Sequence, residues 1–143
     1  MTPASVTPNG VLQIAGKAVK KPNDLADLVR RGLPANSVTE LAARLDLGTT
    51  ILSQKLGIPQ RTLTRRLSHG SRLIAAESDR TVRLARAYAH SVEMIGEEEK
   101  AVASLEAPNH ALAGKRPLDQ VDTDVGAREV EDILGRIAYG VYS

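Results

Sequence analysis

Residues 56–67 read Leu56-Gly57-Ile58-Pro59-Gln60-Arg61-Thr62-Leu63-Thr64-Arg65-Arg66-Leu67, and this run decides how the chain folds. Its leucines and isoleucine recur at helical spacing, and one glycine interrupts them where two helices would meet. Gly57 supplies the left-handed backbone that a tight turn between helices demands. Pro59 opens the second helix at a position where its missing N–H would have had no partner. Upstream, Ser53 places a small side chain where the second helix crosses the first, and Leu52 joins the apolar lock. Gln60, Arg61, Thr64 and Arg65 then fall on the outer face of the second helix, with Arg66 directed at phosphate. Such side chains bond base edges and phosphates: Gln pairs adenine through two bonds, and Arg pairs guanine. Thr49 and Thr50, at the front of the preceding helix, offer hydroxyls and backbone amides to phosphate. The pattern is that of a helix-turn-helix.

Composition agrees. The 143 residues include no Phe, Trp or Cys, so the core must be aliphatic. Abundant Leu and Ala without alternating runs predict an all-α fold. The length suits one compact domain, or two small ones sharing a core. The lack of cysteine excludes disulfides and thiolate metal sites. With no signal-peptide run and no membrane span, a cytoplasmic protein is expected.

The formal net charge of +2 conceals an asymmetry. Residues 30–90 hold eleven Lys/Arg against four Asp/Glu, whereas residues 91–143 hold five against eleven. A basic half beside an acidic half predicts that only the first meets nucleic acid.

Three segments are expected: a flexible arm at 1–21, a helix-turn-helix domain with a long connecting helix at 22–96, and a small helical domain at 97–143. A short helix opens at Pro22 and stops at Gly32. Ser37 is expected to cap the next helix, with Glu40 three residues on completing a capping box. Residues 68–71 read as a loop, and a long helix runs from about Glu77 to Ile95, with Tyr88 in the core. Acidic residues 97–99 start another helix, which ends near Glu106 because Pro108 disfavours helix at Ala107. Residues 108–124 read as irregular, with Asn109 capping its own loop. A last amphipathic helix over 125–139 turns Val130, Ile133, Leu134 and Ile137 inward.

Several stretches resemble one family. Pro108-Asn109-His110-Ala111-Leu112, Gly114, Pro117-Leu118, Thr123-Asp124-Val125-Gly126 and Arg136-Ile137-Ala138-Tyr139-Gly140 resemble the toxin-binding domain of Xre/MbcA/ParS antitoxins. Gly32-Leu33-Pro34, the run from Ile58 to Arg66, and Glu77-Ser78-Asp79-Arg80 with Arg83-Leu84-Ala85 resemble the same family. The match spans roughly residues 32–143. One position departs from it: Ser104 stands where the family usually has a tryptophan, so local packing there must differ.

The resemblance implies the antitoxin of a type II toxin–antitoxin pair, whose partner is a RES-domain toxin that degrades NAD⁺. It implies neutralisation by direct binding and repression of the operon through the helix-turn-helix. A short tail could occupy the site of the nucleotide's phosphates or ribose. Arg136 and the tail Tyr139-Gly140-Val141-Tyr142-Ser143, with its terminal carboxylate, are the residues expected to hold the toxin. Operator DNA is the second partner, and a palindromic operator would require an isologous homodimer.

No enzyme is expected. His69, His90 and His110 lack metal-ligand spacing, and no nucleophile, base and orienting group are brought together. No cofactor is implied. Glu77, Asp79 and Arg80 read as a charge cluster at a helix start, with Arg80 and Arg83 as further candidates for contact with DNA or toxin. Two alternatives stay open at this point: a stand-alone helix-turn-helix regulator, and a partner-binding protein whose DNA reader is vestigial.

Overall fold

Residues 22–138 are described by the computed structural model, and among them every regular element is helical. The order is α1 (Pro22–Arg31), α2 (Asn36–Arg44), α3 (Thr49–Lys55), α4 (Gln60–His69), α5 (Ala75–Ile95) and α6 (Glu98–Glu106). A 3-10 turn (His110–Leu112), α7 (Pro117–Gln120) and α8 (Asp124–Ala138) follow. The all-α expectation holds. The arm at 1–21 and the tail at 139–143 lie outside the described residues. No helix among those described is long and apolar enough to cross a membrane.

Local chemistry explains most helix ends, and four expectations need correction. Ser37 does not cap α2: the helix starts at Asn36, and Ser37 is buried in its first turn with its hydroxyl unpartnered. The backbone sets this start instead, because Ala35 N–H donates to Ser71 O (3.1 Å) beside a bridge between Pro34 and Arg72. Helix α4 continues through Ser68 and His69, whose side chains bond the carbonyls of Thr64 (3.1 Å) and Arg65 (2.8 Å). Helix α5 begins at Ala75, before Glu77, and the Glu77 carboxylate reaches back to accept from Ile74 N–H (3.0 Å). Residues 108–124 are not wholly irregular. Asn109 does cap its loop, accepting from Ala111 N–H (2.8 Å), but the result is a 3-10 turn, and Pro117 then opens α7. Both pieces are shorter than one helical period can reveal.

Buried apolar side chains from Leu28 to Leu134 form one cluster. Helix α5, 21 residues and so roughly 30 Å long, runs through it and packs against α1, α2, α6 and α8. Its buried positions include small residues that permit close approach: Ser78, Thr81, Ala85, Ala87, Ala89 and Ser91. Each of the three hydroxyls is satisfied. Ser78 accepts from Leu33 N–H (2.9 Å), Thr81 donates to Glu77 O (2.8 Å), and Ser91 donates to Ala101 O (3.2 Å). Ser104 lies 3.1 Å from the Ser91 hydroxyl and itself bonds Ala101 O (2.7 Å). The two hydroxyls and the Ala101 carbonyl thus join α5 to α6 at that position.

Thr123 receives the Gly126 N–H (3.0 Å) at the start of α8, and a Cβ on Gly126 would sit 1.8 Å from Gln120 O. Around Gly135, in the same helix, a Cβ would meet nothing within 4 Å. Gly126→Ala should therefore cost about 2–4 kcal/mol in urea denaturation, since backbone must move. Gly135→Ala should add about 0.5–1 kcal/mol by helix propensity. Equal stabilities for the two variants would contradict this packing.

Candidate nucleic-acid interface and partner-binding helix

The turn after α3 is built as its residues dictate. Gly57 takes φ 72°, and Ile58 N–H closes the turn on Ser53 O (2.8 Å). Leu52, Leu56, Ile58 and Leu63 are buried, with Leu67 packed against them, and Ser53 is fully buried at the crossing. Pro59 is the extended cap residue of α4, one position earlier than expected, and its carbonyl accepts from Leu63 N–H (3.0 Å). A Cβ on Gly57 would come within 3.3 Å of Arg80 Nη1, so the half-buried Arg80 side chain lies against the turn. Its Nε is buried without a partner.

Gln60, Arg61, Thr64 and Arg65 are all exposed on α4, so the outer face predicted for them exists. At the start of α3, Thr50 is exposed and Thr49 half-buried. The first helical bond there runs from Leu52 N–H to Gly48 O (3.1 Å), which leaves the preceding N–H groups at the helix start for other acceptors. Arg66 is the exception. Its side chain is only 16% exposed and pairs with the buried Glu77 on α5. Residue 66 lies beside Leu63 and Leu67 on the inner side of α4, which turns its guanidinium away from the outer face. Arg66 fixes the recognition helix to α5.

In the C-terminal part, α8 buries Val130, Ile133 and Leu134 and leaves Arg136 exposed in its last turn. The side chain of Ile137 and residues Tyr139, Gly140, Val141, Tyr142 and Ser143 lie outside the described residues.

Two family models match this chain. The antitoxin Xre-like helix-turn-helix domain covers residues 24–86, and the antitoxin Xre/MbcA/ParS C-terminal toxin-binding domain covers residues 90–140. Antitoxin Xre of Photorhabdus laumondii is 30% identical over 117 residues, 81% of this chain and 79% of that protein. This chain belongs to the Xre antitoxin family. Antitoxin Xre of Yersinia enterocolitica is 29% identical over 143 residues, 99% of this chain and 96% of its own length. The Prs ADP-ribosylating antitoxin of a Sphingobium strain is 23% identical over 131 residues, 85% of this chain and 82% of its own. The chain is therefore a toxin-neutralising antitoxin with a helix-turn-helix domain and a toxin-binding domain. The two family models meet between residues 86 and 90, inside α5.

The antitoxin's charge asymmetry is partly spent inside the molecule, which the sequence alone did not reveal. Lys55, at the end of α3, bonds Asp119 on α7 (2.6 Å), and Arg116 bonds the same carboxylate (2.9 Å). Burial alone would raise the Asp119 pKa, but the bonds from Arg116 and Lys55 outweigh it and hold the carboxyl below its ordinary value. Arg83 pairs with Asp79 and donates to Asp122 O (2.6 Å), clasping the turn before α8. Arg44 on α2 lies 3.9 Å from Glu98 on α6, which accepts from the Tyr88 hydroxyl (3.1 Å). Arg83–Asp79 and Arg116–Asp119 have helical spacing, but Lys55 and Asp119 are 64 residues apart, and no spacing in the sequence reports that pair or Arg44–Glu98.

Burial, and then the neighbouring Glu98 carboxylate, push the Tyr88 phenol up to about 12. An unfolded tyrosine ionises from about pH 10. The native state keeps the proton longer, so stability is unaffected below pH 10 and falls between pH 10 and about 12. The chain holds three tyrosines, so a Tyr139→Phe/Tyr142→Phe variant isolates Tyr88. Its phenolate absorbance should appear only with unfolding or near pH 12, while the urea midpoint drops above pH 10. Titration near pH 10 in the folded protein would contradict the Tyr88–Glu98 contact.

Proposed function

We propose that this antitoxin silences a RES-domain toxin that degrades NAD⁺ and represses its own operon through α4. Residues 97–143 hold the toxin and residues 22–96 read the operator. The match of the toxin-binding family model to residues 90–140 carries this reading, because that segment runs from α5 into the tail. Helix α8 is anchored by Val130, Ile133 and Leu134, and Arg136 is exposed just before the tail. The tail brings two aromatic side chains, Tyr139 and Tyr142. Rings of that kind can fill a cleft where the nucleotide's phosphates or ribose would sit. Neutralisation is thus occlusion, and the antitoxin acts by binding alone.

On the DNA side, Gln60, Arg61, Thr64 and Arg65 reach base edges, and Thr49 and Thr50 meet phosphate. A two-fold operator is read by a homodimer of the antitoxin within the toxin–antitoxin complex.

Removing residues 140–143 should restore NAD⁺ loss and growth arrest by the co-expressed toxin, with thermal stability and operator affinity unchanged. Arg61→Ala and Arg65→Ala should do the reverse. Each should weaken operator binding by about 1–3 kcal/mol and flatten its salt dependence, while toxin protection persists. Full protection by the truncated chain would sink the occlusion reading.

A further inference from the structure

Arg61 and Arg65 have no side-chain partner among the described residues, whereas Gln60, between the turn and Arg61, is held in place. Its Oε1 lies 3.1 Å from the Ser53 hydroxyl, and its Nε2 lies 3.3 Å from Thr64 Oγ1. Ser53 is fully buried, and its hydroxyl also lies 2.9 Å from Thr50 O. One hydroxyl proton cannot serve two acceptors, so the amide has two consistent settings. In one, Ser53 donates to Oε1 and Nε2 donates to Thr64. In the other the amide is turned over: Nε2 donates to Ser53, Ser53 donates to Thr50 O, and Thr64 donates to Oε1. The count of what remains is the same in both. Gln60 keeps one N–H and one oxygen lone pair.

That residual pair is what adenine requires in the major groove, where N7 accepts and the N6 amino group donates. We propose that Ser53 is a positioning residue for base reading: its buried hydroxyl holds the Gln60 amide with one donor and one acceptor left over, and so presets an adenine preference at one operator position. The proposal rests on the DNA-reading role of α4. An unrestrained glutamine would lose rotamer freedom on meeting the base, and the Ser53–Gln60–Thr64 clamp incurs that loss on folding instead. Arg61 and Arg65 read their bases without such help.

The test is a double-mutant cycle on the full-length protein, with binding to a randomised duplex library read by sequencing. Ser53→Ala should lower the adenine preference at one position by about fivefold, the worth of one hydrogen bond, and leave the other positions and the salt slope unchanged. In a Gln60→Ala background, Ser53→Ala should change nothing further, because it acts through Gln60. Gln60→Glu, an exposed change that spares the core, keeps an acceptor for Ser53 but loses the N–H. It should move the preference at that position from adenine to cytosine, whose N4 amino group donates. An unchanged profile for Ser53→Ala, or an equal effect with and without Gln60, overturns the clamp while DNA reading stands. Adenine retained by Gln60→Glu also overturns it, even if Ser53→Ala fails to fold. A wild-type protein that selects no sequence overturns the DNA-reading role and the clamp together.

Discussion

Helix α5 is flanked by α1 and α2 of the helix-turn-helix half and by α6 and α8 of the toxin-binding half, so its 21 residues must bury surface toward both. Most of the architecture follows from that constraint. A helix covered on several sides cannot keep a narrow apolar stripe, and α5 meets the demand with alanines and with serine and threonine hydroxyls bonded internally. Its start carries a buried carboxylate, Glu77, which holds the Ile74 N–H and Arg66 together. The recognition helix is therefore fastened to the same element on which the toxin-binding half is built.

Magnitudes rank what holds this arrangement. A fully buried leucine contributes roughly 1.5–3 kcal/mol, and Leu28, Leu33, Leu41, Leu52, Leu63, Leu84, Leu105 and Leu134 span both halves of the chain. The Lys55–Asp119 bridge is 20% and 40% exposed at its two side chains, so it contributes at most about 1 kcal/mol. Apolar burial in the single core cluster supplies the stability. The long-range ion pairs set orientation: Lys55 ties the helix-turn-helix turn to α7, and Arg44 reaches Glu98 beside Tyr88. Arg66–Glu77 stands apart, because it is mostly buried, and removing one partner there would strand a charge.

The parts legible in the sequence are those set by local chemistry. Gly57, Gly96 and the Pro108 stop follow from backbone rules, and Gln60, Arg61, Thr64 and Arg65 follow from helical periodicity once the turn is placed. The hidden parts depend on distant partners. The start of α2 is fixed by Ser71 across the fold, so the good cap residue Ser37 is bypassed and buried. The spacing of Arg66 is compatible with the outer face and a phosphate contact, yet Glu77 draws it inward. The charge asymmetry divides the sequence into a basic and an acidic half, but part of it faces across the molecule and not toward partners. Ser53 illustrates both: the need for a small residue at the crossing is legible from the motif, and only the fold shows what its hydroxyl touches.

If α5 serves one shared core, the antitoxin's helix-turn-helix and toxin-binding halves cannot unfold separately. Native-state amide hydrogen exchange, followed residue by residue across a urea series, measures this most directly. The slowest amides of α3 and of α8 should reach the same opening free energy with the same urea dependence, both equal to those of α5. Two separate plateaus, with α8 opening while α3 stays protected or the reverse, would show that the halves are independent domains joined by a helix.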